Sequence, residues 1–181
     1  MRRPWMAVLV CLLTAAGGLC VQEKAMADPP GLVGCWDFEE GQGQIAHDRS
    51  GSGNDGVIHG AQWRKGEFGT ALWFDGVKDY VEIKDAPSLN FTGGFTLEAW
   101  VNADRIFHAA KIVCKRGKHE AGGYWLDQLQ GARLCLYCGG AEARPPYLRA
   151  MSTTWLSPGR WYHMAGTYSD GVMRIYIRVV A

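Results

Sequence analysis

The chain has 181 residues, a formal net charge of +1, 12 % aromatic residues and 24 glycines. That length suffices for one domain with a sizeable core. The balanced charge excludes the broad basic footprint of a nucleic-acid binder, and the glycine and aromatic content favours short strands and turns over helices.

Residues 1–27 read as a leader rather than as part of the fold. Arg2 and Arg3 open it, an apolar run follows over residues 6–21, and Ala25-Met-Ala27 offers a cleavage site between small residues. The run is too short for a membrane span, so no stable span is expected after cleavage. Cys11 and Cys20 lack the preceding small residue that lipoprotein processing uses. Cleavage removes Arg2, Arg3 and Lys24 against Glu23 and leaves a net charge of −1. The expected location is outside the cytoplasm: secreted, periplasmic or on the cell surface. Cys35, Cys114, Cys135 and Cys138 would remain, and an oxidising compartment permits three full disulfide pairings among them. Cys135-Leu-Tyr-Cys138 has redox or zinc spacing. A zinc site would need a second close pair, and a redox site would need a helix after the motif, so structural cysteines fit better.

After a stiff linker at residues 28–31, residues 32–38 read as the first strand, with Trp36 and Phe38 in the core. Gly41, Gly43 and Ala46 have the spacing of a dinucleotide fingerprint. The segment that follows, Asp48-Arg-Ser-Gly-Ser-Gly-Asn-Asp-Gly56, cannot be the helix such a site requires. It reads instead as a polar loop rich in oxygen atoms. Short strands follow near residues 56–58 and 61–63. Residues 68–83 read as two strands joined by a tight turn, with Leu72 and Phe74 on the first strand and Tyr80 to Ile83 on the second. Asp75-Gly76 opens the turn and Asp79 closes it. These carboxylates suit either capping of backbone amides, the commoner use of aspartate in turns, or a grip on a cation.

Residues 95–102 alternate most clearly. Phe95, Leu97, Ala99 and Val101 share one face, while Thr96, Glu98, Trp100 and Asn102 share the other. Further strands are predicted near 110–115, 123–127 and 132–137, then a loop from Pro145 to Trp155. A hairpin over 160–177 turns at Asp170-Gly171. About a dozen short strands without a helical period imply a two-sheet sandwich or jelly roll.

Four stretches taken together resemble the laminin-G-like jelly-roll family of the concanavalin A-like lectin/glucanase superfamily. They are Cys35-Trp-Asp-Phe-Glu-Glu-Gly41 with Asp48-Arg-Ser-Gly51; Phe68-Gly-Thr-Ala-Leu-Trp-Phe-Asp-Gly76 with Asp79-Tyr-Val81; Phe95-Thr-Leu-Glu-Ala-Trp100; and Trp161-Tyr-His-Met-Ala165 with Arg174-Ile-Tyr176. The resemblance implies an all-β, two-sheet antiparallel jelly-roll sandwich, secretion, and frequent binding of calcium and carbohydrate at loops. It also implies framework roles for Trp161, His163 and Tyr176. The family usually continues beyond a strand like residues 174–177 through a turn and several more strands. Closing strands at the C-terminus are therefore expected to be lacking.

The function expected from this resemblance is a non-catalytic module for glycan or extracellular protein ligands. Tyr124, Trp125, Tyr147 and Trp155 are the candidate sugar-stacking rings, each of which could equally be packing. Calcium is the expected cofactor, with Asp48, Asn54, Asp75 and Asp79 as candidate ligands, provided that their two loops meet at one rim. The alternatives are a fragment of a glycoside hydrolase or polysaccharide lyase, or a purely structural adhesion domain. Hydrolysis needs two facing carboxyls, and Glu98 lacks the partners of the Glu-x-Asp-x-x-Glu strand motif. The sequence leaves the oligomeric state open.

Overall fold

A computed structural model of the protein describes residues 5–14, 30–91, 93–105, 110–116, 123–129, 133–139 and 148–179, with backbone alone at residues 5–14, 116, 129 and 133–139. The described residues form an antiparallel β-sandwich whose strands are, in order, β1 (Trp5–Thr14), β2 (Leu32–Trp36), β3 (Ile45–Ala46), β4 (Gly56–His59), β5 (Gln62–Lys65), β6 (Thr70–Phe74), β7 (Tyr80–Ile83), β8 (Phe95–Ala103), β9 (Ala110–Arg116), β10 (Gly123–Leu129), β11 (Arg133–Gly139), β12 (Leu148–Met151), β13 (Trp161–Ser169) and β14 (Val172–Val179). Among the described residues one short 3-10 turn, Pro87–Leu89, interrupts them.

Hydrogen bonding divides the strands into three sheets. The largest runs β14-β13-β8-β1-β6-β5, with β2 also paired to β1. A second has the order β12-β11-β10-β9 and a third the order β3-β4-β7. One apolar core joins all three: Trp36, Leu72, Phe95, Leu97 and Val101 from the largest, Ala46 and Ile58 from the smallest, and Tyr124 and Leu126 from the four-stranded sheet. The all-β jelly-roll sandwich expected from the sequence is thus present.

The alternation of β8 sets the layering. Leu97 and Ala99 are fully buried in the core, as their period-2 placement predicts. Trp100, on the opposite face, packs on His163 of β13 at 5.0 Å between ring centroids and on Phe68 at 5.2 Å. Between β13 and β14 the pairing of Ser169 with Val172 leaves a two-residue turn. Asp170 (φ 51) and Gly171 (φ 78) both adopt the left-handed conformation that a tight hairpin of this twist requires.

Three features differ from the sequence reading. The stretch 68–83 is not a hairpin, because β6 belongs to the largest sheet and β7 to the smallest, so the aspartate turn crosses between sheets. An Asp-Gly turn signal reports a local reversal, and it does not specify that the strands on either side pair with each other. Residues 148–151, read as loop, form β12. Residues 5–14, read as part of the leader, form β1 in the interior of the largest sheet.

Candidate functional site

The candidate calcium ligands are best followed oxygen by oxygen. Asp48 Oδ1 accepts the backbone N–H groups of Cys35 and Ser50, both at 2.9 Å. Its Oδ2 accepts the Ser50 hydroxyl and the Asn54 N–H, again at 2.9 Å. Four donors therefore converge on one carboxylate and stitch the polar loop to β2. Asn54 is buried; its side-chain amide donates to the Val33 carbonyl at 2.7 Å and to the Ser88 hydroxyl at 3.0 Å. In the crossing turn, Asp75 Oδ1 accepts the N–H groups of Val77 (2.8 Å), Lys78 (3.0 Å) and Asp79 (3.3 Å). Asp79 Oδ2 returns the contact by accepting the Asp75 N–H at 2.8 Å. The other Asp79 oxygen lies where a Cβ on Gly60 would stand, 2.1 Å away, so Gly60 makes room for it.

Asp48, Asp75 and Asp79 accept backbone amides, whereas Asn54 ties its loop to the Val33 carbonyl and the Ser88 hydroxyl. Among the described residues no three His, Cys, Asp or Glu side chains group to hold a metal ion. Asp48, Asp75 and Asp79 show the capping geometry that aspartates in turns commonly adopt.

The capping has a pH signature. The amides of Lys78 and then Val77 hold the Asp75 carboxyl below the usual carboxylate range. The Asp48 amide does the same for Asp55, with a smaller contribution from His47. A carboxyl whose folded pKa is lowered stabilises the fold above its unfolded pKa, and that contribution is lost as pH falls through the folded value. Acid titration of the thermal midpoint should therefore fall less steeply below about pH 4 in Asp75→Asn than in the parent. Parallel titration curves would remove Asp75 from this role.

The aromatic candidates separate. Tyr124 is 5 % exposed, stacks on Phe91, lies tilted against Phe95, and donates its hydroxyl to the Leu89 carbonyl at 3.2 Å. Burial pushes its phenol pKa upward. It is a core ring with no face for a sugar, and it leaves the candidate set. Trp155 is 60 % exposed in the segment between β12 and β13. Tyr147 lies outside the described residues.

Trp125 projects from the face of β10 opposite Tyr124 and Leu126, is half-buried, and has neighbours of suitable chemistry. The Lys111 ammonium lies 5.3 Å from its ring centroid and donates a 2.5 Å hydrogen bond to Asp127 Oδ2. The Asp127 side chain is 1 % exposed and that of Lys111 34 % exposed. Register extends the site across the sheet. Trp125 pairs with position 137 and that position with Arg149, while Asp127 pairs with position 135 and that position with Met151. Arg149 and Met151, both exposed, thus share a face with the indole and the ion pair. The sequence reading selected Trp125 but missed Lys111 and Asp127, because a cross-strand ion pair between β9 and β10 has no local spacing signal.

The largest sheet carries a second polar pair on its own outward face. Glu98 and His163 are both buried, with Nε2 and Oε2 3.4 Å apart, beneath Trp100. This agrees with a framework role for His163. The buried carboxylates Glu98 and Asp127 stand on different sheets, each on the face turned away from the shared core, so they do not face one another across a bond. Cys35 is buried on β2, whereas Cys114 is exposed on β9, in a different sheet. Cys135 and Cys138 lie on β11, where only the backbone is described.

The family model described as Laminin_G_3, of the concanavalin A-like lectin/glucanases superfamily, matches residues 75–177, more than half of the chain. The chain belongs to this family. The match spans β7 to β14 almost entirely, including Trp125, Lys111, Asp127 and the Glu98–His163 pair. No curated protein and no solved structure matches the chain. At the level of the family, a Laminin_G_3 domain is a carbohydrate- or protein-binding module of a typically extracellular kind. Among the described residues no helix is long and apolar enough to cross a membrane.

Proposed function

We propose that the protein is an exported, non-catalytic binding module that takes a glycan or an extracellular protein on the outward face of its four-stranded sheet. The observation that carries this reading is the Trp125–Lys111–Asp127 arrangement. A half-buried indole offers a flat apolar surface for the C–H face of a sugar ring or for an apolar side chain. Lys111, held by a buried carboxylate, keeps a fixed donor beside that surface, and Arg149 adds a cation along the same row. Preset groups of this kind favour binding because little side-chain freedom remains to be lost. Exposed Trp155 is a second surface of the same chemistry.

The non-catalytic reading is supported by the placement of Glu98 and Asp127. They stand on different sheets beside His163 and Lys111, which is not the facing carboxyl pair that glycoside hydrolysis uses. Export rests on the apolar leader-like N-terminus together with the family's usual location. Calcium is left out of this reading, which rests on the aromatic and charged groups of the four-stranded sheet. Asp48, Asp75 and Asp79 cap backbone amides, and Asn54 donates to the Val33 carbonyl and the Ser88 hydroxyl.

Glycan-array binding, measured beside reducing-sugar release from the same glycans, tests the proposal. Binding without release is expected, and Trp125→Ala should weaken it about tenfold or more while leaving the thermal midpoint within a few degrees. Reducing-sugar release that persists in purified protein would move the protein to the hydrolases. Glycan binding untouched by Trp125→Ala would move the ligand elsewhere on the surface.

A further inference from the structure

The position of β1 has a consequence for assembly. On one side β1 pairs with β8 along its whole length, from Trp5 opposite Ala103 to Thr14 opposite Phe95. On the other side its first half pairs with β6 and its second half with β2. Among the described residues, it is the sole hydrogen-bonded link between the β8-β13-β14 half of the largest sheet and the half containing β5, β6 and β2. Yet the same residues, Trp-Met-Ala-Val-Leu-Val-Cys-Leu-Leu-Thr, form the apolar run of a leader. Export with cleavage near residue 27 would remove the middle strand.

Its loss would leave a gap one strand wide through the sheet. Two facing rows of backbone N–H and C=O groups would lose their partners, which buried backbone rarely tolerates. Leu97, Ala99 and Val101 of β8, together with Leu72 and Trp36, pair with β1 and would border the same gap. Such a gap favours uptake of another extended segment.

We propose that the space between β8 and the β6/β2 pair is a strand-acceptor site. After leader removal it takes an extended apolar segment of about ten residues from another polypeptide, inserted antiparallel to β8. The resident strand defines the chemistry of the occupant. It is uncharged and lacks proline and glycine throughout, and its backbone pairs on both sides. Proline would be excluded most strictly at the position of Leu12, which faces Gly34 on one side and Leu97 on the other. The inference rests on leader removal and is independent of the ligand face on the other sheet.

The test begins with the folded full chain carrying a protease site between residues 20 and 27. After cutting, a labelled peptide of residues 5–14, with lysines added outside that sequence for solubility, is supplied in excess. One-to-one uptake of the peptide, with release of the resident fragment, is expected. The peptide with Leu12→Pro should bind about 100-fold more weakly. A register readout comes from Cys11, which stands opposite Cys35. A peptide whose Cys11 carries a thionitrobenzoate leaving group should form a disulfide to Cys35, the Cys35 thiolate displacing thionitrobenzoate. Release of the fragment with an unchanged thermal midpoint and no peptide uptake overturns the proposal. So does a dimer of cut chains that ignores the peptide, or cross-linking confined to cysteines other than Cys35. Glycan binding read on the same samples reports the ligand face separately.

Discussion

Trp36→Ala will lower the free energy of unfolding by about 3–5 kcal/mol, measured by chemical denaturation. The indole is 1 % exposed and belongs to the core shared by the three sheets. Its Nε1–H donates to the Asn54 carbonyl at 2.9 Å, so truncation both opens a cavity and strips an acceptor of its partner. The ring lies over its own strand: a Cβ on Gly34 would come within 2.5 Å of it. Gly34→Ala should therefore destabilise as well, by displacing the same ring. Trp155→Ala, which removes an indole of equal size from an exposed position, should change stability by no more than about 0.5 kcal/mol. A loss under about 1 kcal/mol for Trp36→Ala would remove this ring from the centre of the fold.

The second large effect is expected at Lys111 and Asp127. Lys111→Met should cost about 3 kcal/mol, because the carboxylate it serves is almost wholly removed from water. Converting both residues, Lys111→Met with Asp127→Leu, replaces an ion pair with apolar groups and should recover most of that loss. The double-mutant cycle separates the pair from its surroundings. Additive losses would mean that the two side chains stabilise the sheet independently. The same double variant should also lose glycan affinity, since it removes the fixed donor beside Trp125 while leaving the indole in place.

Much of the architecture was legible because strand periodicity and turn chemistry are local. The alternation of Phe95, Leu97, Ala99 and Val101 identified β8, and Asp170-Gly171 identified the β13–β14 hairpin, since the residues themselves limit which backbone conformations and faces are available. Trp36 and Phe38 were placed in the core on the same basis. What a strand pairs with is a global property, and there the reading fell short. Leu72 and Tyr80 looked like the two arms of one hairpin, although their strands belong to separate sheets. The apolar run at residues 5–14 is as suitable for an interior strand as for a leader, because both uses select uncharged residues.

The candidate site was legible in part for the same reason. An aspartate followed by turn residues announced loop capping, and the hydrogen bonds of Asp48 and Asp75 follow that chemistry. Tyr124 and Trp125 are adjacent in sequence with similar side chains, and only the parity of β10 puts one in the core and the other outside. Single-residue parity depends on the register with β9 and β11, including the irregularity between Leu126 and Asp127. Lys111 and Asp127 meet through that pairing and leave no signature along the chain.

The crossing of the Asp75–Asp79 turn between sheets has a practical consequence for engineering this domain. Its short span and reciprocal caps fix the offset of one sheet against another, so an epitope or fluorescent reporter inserted there would pry the sheets apart. The Asp170-Gly171 tip joins neighbouring strands of one sheet and can grow outward without changing any spacing between layers. It is the place to graft cargo.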